Sequence, residues 1–525
     1  MSLAILSGRI YTGFPEKKWV SALYAEKGRI VKIGSDAEIK RLCHDKTQVL
    51  KLPDQMVTPG FIDAHCHFIS SGLAFQEVQL NHLSLDDCLD QIRHAVQKTP
   101  IGEWVTGRGW NHSFWDNPIE PEKSILDQIA PNHPVAMMRV CSHSIWVNSK
   151  ALELAGIDLN TQDPKGGKID RDINGEATGI IRESLDLIFK AIPPLSDQQY
   201  IKAALAAQEN TIQHGITSLR TMEDLECYQL FQELEQDQKL KLRVCHCLPP
   251  DDIEKANQLG IQPGKGSDFL WHQHLKIFAD GSLGANTALM HEPYTNQPEV
   301  SGLACLSVKE MQEYTEFAYF NNRSIAIHAI GDLAVSNAIL AIEGARNKHP
   351  GFGRDTIEHV QIFKPSDLDR FKALGLTASI QPIFLPTDWQ TATAKWGGER
   401  CLSAYAWKSI IDSGTPYVFG SDHPIESNNP LLGIQAALTR QDWDHQPEKG
   451  WHPSQRLDLE TCIKGYTHFS ANALGQARNL GSLQPGKWAD MAVWDQDLFS
   501  TPDSAFKHRK TLKTIINGEI VYQSD

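Results

Sequence analysis

Short apolar runs bounded by turn residues alternate with helix-like stretches through the middle of this 525-residue chain. Eight of the runs have strand length: residues 57–65, 215–221, 242–248, 275–280, 325–330, 356–360, 377–381 and 417–421. Each is short, largely apolar and bounded by turn residues, which reads as a buried strand. Several lead into segments with apolar residues at three- and four-residue spacing, at 308–321, 333–348, 365–374 and 431–439, which read as helices. Eight such units in succession is the count that closes a parallel barrel.

The two ends have a different texture. Residues 3–9, 20–26, 29–33 and 48–52 read as strands separated by turns at Gly8, Gly13, Gly28 and Gly34. Similar strands return near Met491 and in a closing hairpin, 514–516 with 519–522, around Asn517-Gly518. One interval, 68–195, is far longer than a crossover needs. It carries a strand-like run at 135–140 and helix-like runs at 85–97 and 180–189. The predicted fold is therefore α/β. A (β/α)8 TIM-type barrel takes residues 58–67 and 196–474, a small composite β-sandwich domain takes 1–57 and 475–525, and an inserted α+β subdomain takes 68–195 and caps the site.

Charge and composition narrow the partners. A net charge of −14 without a basic run argues against nucleic acid, whose phosphates need clustered Lys and Arg. No apolar run is long enough for a bilayer, and the first residues lack a basic segment before their short apolar stretch. A cytoplasmic protein acting on a small molecule is expected, with no nucleic-acid or membrane partner and a homodimer as the commonest assembly. The 10 cysteines form no Cys-x-x-Cys pair, which fits reduced thiols. Cys245-His246-Cys247 sits in an alternating run and reads as a buried strand rather than a metal site.

Five of the eight predicted strands carry residue types that bind metal, within the run or just past its end. His65 and His67 are two apart, so on a strand they face one side while Cys66 faces the other. Alone, such a pair is more often structural. His328 and His359 each lie near a strand end, where a satisfied core histidine is an equally good reading, and Asp422 before a proline would also suit a turn cap. Their coincidence on one rim is what favours a metal centre. Lys276 lies among apolar residues, where an ammonium is costly unless paired or deprotonated. A neutral amine there can add carbon dioxide and become a carbamate; a salt bridge to Asp280 is the plainer alternative.

These residues resemble the amidohydrolase superfamily, and within it amidohydrolase family 3, the YtcJ-like branch that includes N-substituted formamide deformylases. The resemblance covers nearly the whole chain. It rests on Pro59-Gly60-Phe61-Ile62-Asp63-Ala64-His65 with His67, Lys276 through Asp280-Gly281-Ser282-Leu283-Gly284, His328 with Gly331-Asp332, Glu358-His359, Gly420-Ser421-Asp422, and Gly481-Ser482 through Ala489-Asp490. Gly107-Arg108-Gly109-Trp110-Asn111 and His143 through Asn148-Ser149 extend it into the insert. It implies a zinc site of two divalent ions: His65, His67 and Asp422 on one, His328 and His359 on the other, carboxylated Lys276 bridging them. Two departures stand out: Ala285-Asn286 where relatives carry an arginine, which counts against an acidic substrate, and Ser142 in place of a common glycine.

Such a site implies a metal-dependent hydrolase of a non-peptide carbon–nitrogen bond in an amide, formamide or cyclic amide. Metal-activated hydroxide would attack the carbonyl, with Asp422 as proton shuttle and His143 as a helper on the oxyanion. Trp110, Trp146, Asp280 and Gln381 are the expected substrate-binding residues, and His423 reads equally as a support for Asp422 or as surface. Two alternatives stay open: a regulatory or binding protein on the same scaffold, and a mononuclear hydrolase with a structural Lys276.

Overall fold

The apolar runs of the central region pair side by side. In the computed structural model, which describes every residue except Met1, His82, Ser113, Phe114, residues 140–143, Lys165, Gly166, Gly351, Phe352 and Asp525, they form one eight-stranded sheet. In chain order the strands are Phe61–Cys66, Ile216–Met222, Arg243–Leu248, Leu270–Phe278, Ser324–Ala329, Thr356–His359, Thr377–Ile380 and Tyr417–Phe419. Each pairs in parallel with the next. The first and eighth approach each other where Ser421 N and Asp422 N both donate to His65 O, at 3.1 and 2.7 Å. Gly420 permits that approach, since a Cβ there would lie 2.6 Å from His65 N. This is a TIM-type α/β architecture, with helices such as Val308–Phe320 and Asp332–Lys348 following the strands. The second bears a buried stripe of Ala334, Val335, Ala338, Ile339, Ile342 and Ala345.

Two predicted strands change shape. The run at 57–65 breaks at Gly60, whose Cβ would meet Thr217 Oγ1 at 2.2 Å, so Met56–Pro59 joins a different sheet from Phe61–Cys66. The fourth strand begins at Leu270 and stops at Phe278, leaving Asp280 in the following loop. Cys245, His246 and Cys247 lie in a wholly buried strand, as the alternation implied.

The chain ends build two further sheets. One has four strands, in the order Arg29–Gly34, Ala22–Glu26, Ser2–Leu6, Thr47–Lys51. The other has six, in the order Glu519–Gln523, Thr511–Ile516, Met491–Trp494, Met56–Pro59, Arg9–Tyr11, Trp19–Val20. Leu3, Ile5, Leu23 and Ile33 from the first share a core with Val57, Met491, Val493 and Ile515 from the second. Asn517 and Gly518 both have positive φ, 56° and 75°, the geometry of the tight turn their hairpin needs. Asp490 anchors these strands to the barrel: its carboxylate takes two bonds from buried Arg243, at 2.5 and 3.0 Å, and one from Asn517 N.

The chain divides into two compact units, Met1–Ser71 with Ala204–Asp525, and Gly72–Ala203. The second has its own six-stranded mixed sheet, in the order Lys168–Arg171, Ala177–Arg182, Ser144–Val147, Val135–Arg139, Val105–Trp110, Val78–Gln79. Its helix Leu85–Lys98 matches the expectation, with Ser84 as cap. The run at 180–189 does not. Its start belongs to the strand Ala177–Arg182, where Ile180 and Ile181 feed opposite-facing cores, and only Asp186–Phe189 is helical. Among the described residues no helix is long and apolar enough to cross a membrane.

Candidate metal centre

Four histidines and one aspartate meet at the carboxyl ends of the barrel strands. The imidazoles form a chain of ring contacts: His67 to His65 at 5.8 Å between centroids, His65 to His359 at 4.9 Å, and His359 to His328 at 4.4 Å. Asp422 Oδ1 lies 3.3 Å from His65 Nε2 and 3.2 Å from His67 Nε2. Donor atoms of His65, His359 and Asp422 all fall within 4.8 Å of one another.

Each imidazole is tied to the protein through one nitrogen. His65 Nδ1 meets Glu358 Oε2 at 2.6 Å, His67 Nδ1 meets Met222 O at 3.1 Å, His359 Nδ1 meets Gln381 Oε1 at 3.0 Å, and His328 Nε2 meets Gly281 O at 3.0 Å. Carbonyls and carboxylates only accept, so these nitrogens carry protons; the Nε2 atoms of His65 and His67 point at Asp422 Oδ1, where a bound cation would take the place of a proton. His65 Nε2 is fully buried and makes no hydrogen bond. Burial also depresses the basicity of His328, to about 3, and of His359, so both stand as neutral donors. A buried nitrogen without a hydrogen bond, beside the neutral imidazoles of His328 and His359 and the Asp422 carboxylate, is a donor set that fits a divalent transition metal.

Lys276 is buried, and desolvation lowers its pKa even with Glu358 and Asp422 nearby, so the free amine is more accessible than in water. Its Nζ sits 4.9 Å from the centre of the Phe278 ring. Among the described residues no ion pair joins it to Asp280, whose carboxylate instead accepts from Leu289 N, Ile330 N and Gly331 N. Burial pushes Asp280 up to about 7 despite those bonds.

Backbone strain helps assemble the site. Neighbours on a regular strand face opposite sides, yet Glu358 and His359 both reach His65. His359 and Val360 have φ of 77° and 46°, and Asp422 has 60°, a region that is costly for residues with a Cβ and rarest for a β-branched one. The left-handed turn at His359 swings its ring inward beside that of His328.

The expected substrate contacts are buried. Trp110 and Trp146 are fully buried in the core of the Gly72–Ala203 unit, where their indole nitrogens donate to Met137 O and Glu122 O. They are packing residues, because the apolar faces expected to meet substrate are spent on each other and on Trp115. Gln381 is 3% exposed and bridges His359 to Ser379 O, so it and Asp280 hold the site's frame rather than open onto it. His423 bonds Glu426 O through Nδ1, and its own carbonyl accepts from His67 N. His143 and Ser142 lie outside the described residues. In the turn before Asn286, Leu283 O and Gly284 O accept from Lys395 Nζ, which comes from the helix Leu385–Trp396.

Three supporting residues were given no role from sequence: Asp63 and Glu358 stood only as members of longer motifs, and Arg220 was not named. Asp63 accepts from His65 N, Ser421 N and Ser421 Oγ, coupling the first strand to the loop after the eighth. Arg220 and Glu358 form a fully buried ion pair at 2.6 Å, and Arg220 also donates to Ala64 O and Thr356 Oγ1. Burial alone would raise the Glu358 pKa; Arg220 and His65 hold it well below the usual range. Two opposite charges inside apolar strands, the second and the sixth of the barrel, were the available signal, since neither can be buried alone.

Comparison with known proteins places this geometry among relatives. A family model described as Amidohydrolase family matches residues 48–522. The YtcJ protein of Bacillus subtilis (strain 168) is 34% identical over 529 residues, which is 98% of each chain. N-substituted formamide deformylase of Arthrobacter pascens is 24% identical, covering 99% of this chain and 98% of its own. An uncharacterized metal-dependent hydrolase from Pyrococcus furiosus, known by crystal structure, superposes with a TM-score of 0.80 at 30% identity, covering 95% of this chain and 100% of that one.

Proposed function

The chain belongs to the amidohydrolase family, and on that premise we propose that it is a metal-dependent hydrolase of a non-peptide carbon–nitrogen bond in an amide, formamide or cyclic amide. The observation that carries this reading is the set of four imidazoles, each tied to the protein by one nitrogen and offering the other around Asp422. His65, His67 and Asp422 would hold one zinc-like ion, His328 and His359 a second, and Lys276, carboxylated on its buried amine, would bridge them. Bound divalent ions supply Lewis acidity toward a carbonyl oxygen and lower the pKa of water. Asp422 does the proton work. Its carboxylate takes the proton of the attacking water as the carbon–oxygen bond forms, then gives it to the departing nitrogen as the carbon–nitrogen bond breaks. Buried walls around the histidines keep bulk water from competing for that proton. The same reading takes the two terminal sheets as a β-sandwich and the substrate as a small molecule met in the cytoplasm.

A second reading has one ion. His65, His359 and Asp422, the group among the described residues whose donor atoms lie close enough together, would hold it, with Lys276 structural. Elemental analysis of protein purified without chelator, beside Lys276→Ala, separates the two. About two ions per chain, falling to about one or fewer in the variant, supports the bridged centre. One ion in both proteins supports the second reading, and none after reconstitution overturns the metal mechanism. Amine release from a panel of formamides, N-acyl amines and cyclic amides, abolished by Asp422→Asn, tests the bond class; no release from any of them overturns it.

A further inference from the structure

The four imidazoles do not have equal partners. His67, His328 and His359 each hydrogen-bond a neutral oxygen, from Met222 O, Gly281 O and the Gln381 amide, and the carboxylate beside His328, Asp280 Oδ1, stands off at 3.6 Å from its Nε2. His65 is held by a carboxylate, at 2.6 Å and with both residues almost wholly shielded from solvent. A carboxylate behind an imidazole fixes its tautomer and draws on its N–H, which raises the electron density of the other nitrogen and its strength as a ligand.

Glu358 is built to remain a carboxylate. Its other oxygen accepts from Arg220 Nη2 at 2.6 Å and from Thr356 Oγ1. Arg220 is itself fixed by Ala64 O at 2.6 Å and Thr356 Oγ1 at 3.1 Å, within the same three strands. The negative charge is therefore held in place before any metal arrives, on the side of the site away from Asp422. His65 lies between two carboxylates, with Glu358 at 2.6 Å from Nδ1 and Asp422 at 3.3 Å from Nε2.

We propose that Glu358 is a positioning residue which, acting through His65 Nδ1, makes the metal position at His65 the tighter of two unequal positions in this site. The inference rests on the metal-dependent reading above. The site then fills in order: the position of His65, His67 and Asp422 first, that of His328 and His359 second.

The test is a zinc titration of the metal-stripped full-length chain against a chromophoric chelator, for the wild type, Glu358→Gln, and the double variant Arg220→Met with Glu358→Gln. The double variant removes both charges of the pair, so it leaves no unpaired buried ion and stays measurable where the single variant fails to fold. The wild type is expected to show two distinct affinities. The variants should weaken the tighter one about 10- to 100-fold and leave the weaker one unchanged. A merely structural role would lower both together or neither. Two equal affinities in the wild type, or variants in which both fall together or neither moves, overturn the proposal. A wild type that binds no zinc overturns instead the reading on which it rests.

Discussion

Replacing Arg220 with methionine removes the cation that neutralises Glu358 while keeping a long apolar stem in its place. Both side chains of the pair are 0% exposed, and Arg220 also gives up its bonds to Ala64 O and Thr356 Oγ1. Breaking one partner of a buried pair leaves a charge without compensation, at a cost of about 3–5 kcal/mol. The barrel and terminal sheets form a unit of roughly 400 residues, and at about 2 cal/mol/K per residue its unfolding entropy is about 0.8 kcal/mol/K, so that cost corresponds to roughly 4–6 °C in Tm. Differential scanning calorimetry of metal-free wild type, Arg220→Met and the double variant with Glu358→Gln reads this directly. The double variant, having no charge left to compensate, should recover at least about half of the loss. A shift under about 1 °C in the single variant, or a double variant no more stable than the single, would refute the claim that the charge pairing carries the energy.

Other consequences follow from the same geometry. His246 is fully buried, neither ring nitrogen has a hydrogen-bond partner, and burial lowers its pKa to about 3. The unfolded chain therefore binds one more proton than the folded chain between pH 6.5 and about 3, and stability falls as the pH drops through that window. His246→Leu should remove up to roughly 1.4 kcal/mol per pH unit from that slope in denaturant titrations run from pH 7 to pH 5; an unchanged slope would contradict it. Gly420→Ala puts a Cβ 2.6 Å from His65 N and 2.7 Å from His65 Cβ. It should cost about 1–3 kcal/mol and reduce retained zinc, and a variant with wild-type Tm and metal content would argue against the close approach.

Hydrophobic patterning alone made the eight central strands legible, because burial inside a parallel sheet writes short apolar runs bounded by turn residues into sequence. The residue types His65, His67, Lys276, His328, His359 and Asp422 at strand ends were legible for a related reason. A parallel barrel sends every strand's carboxyl end to one face, so sequence position translates into shared space. Direction was not legible. Whether Trp110 and Trp146 faced substrate or core depended on the Gly72–Ala203 unit closing around them, which no local pattern encodes. The break at Gly60 was hidden inside a continuous apolar run, because the two halves are buried in different sheets by contacts hundreds of residues away. The tertiary structure also decided what stands behind each ligand. Arg220 and Glu358 are 138 residues apart in sequence, and their pairing exists only because strand order brings a cation and an anion into one dry interior, where neither is stable without the other.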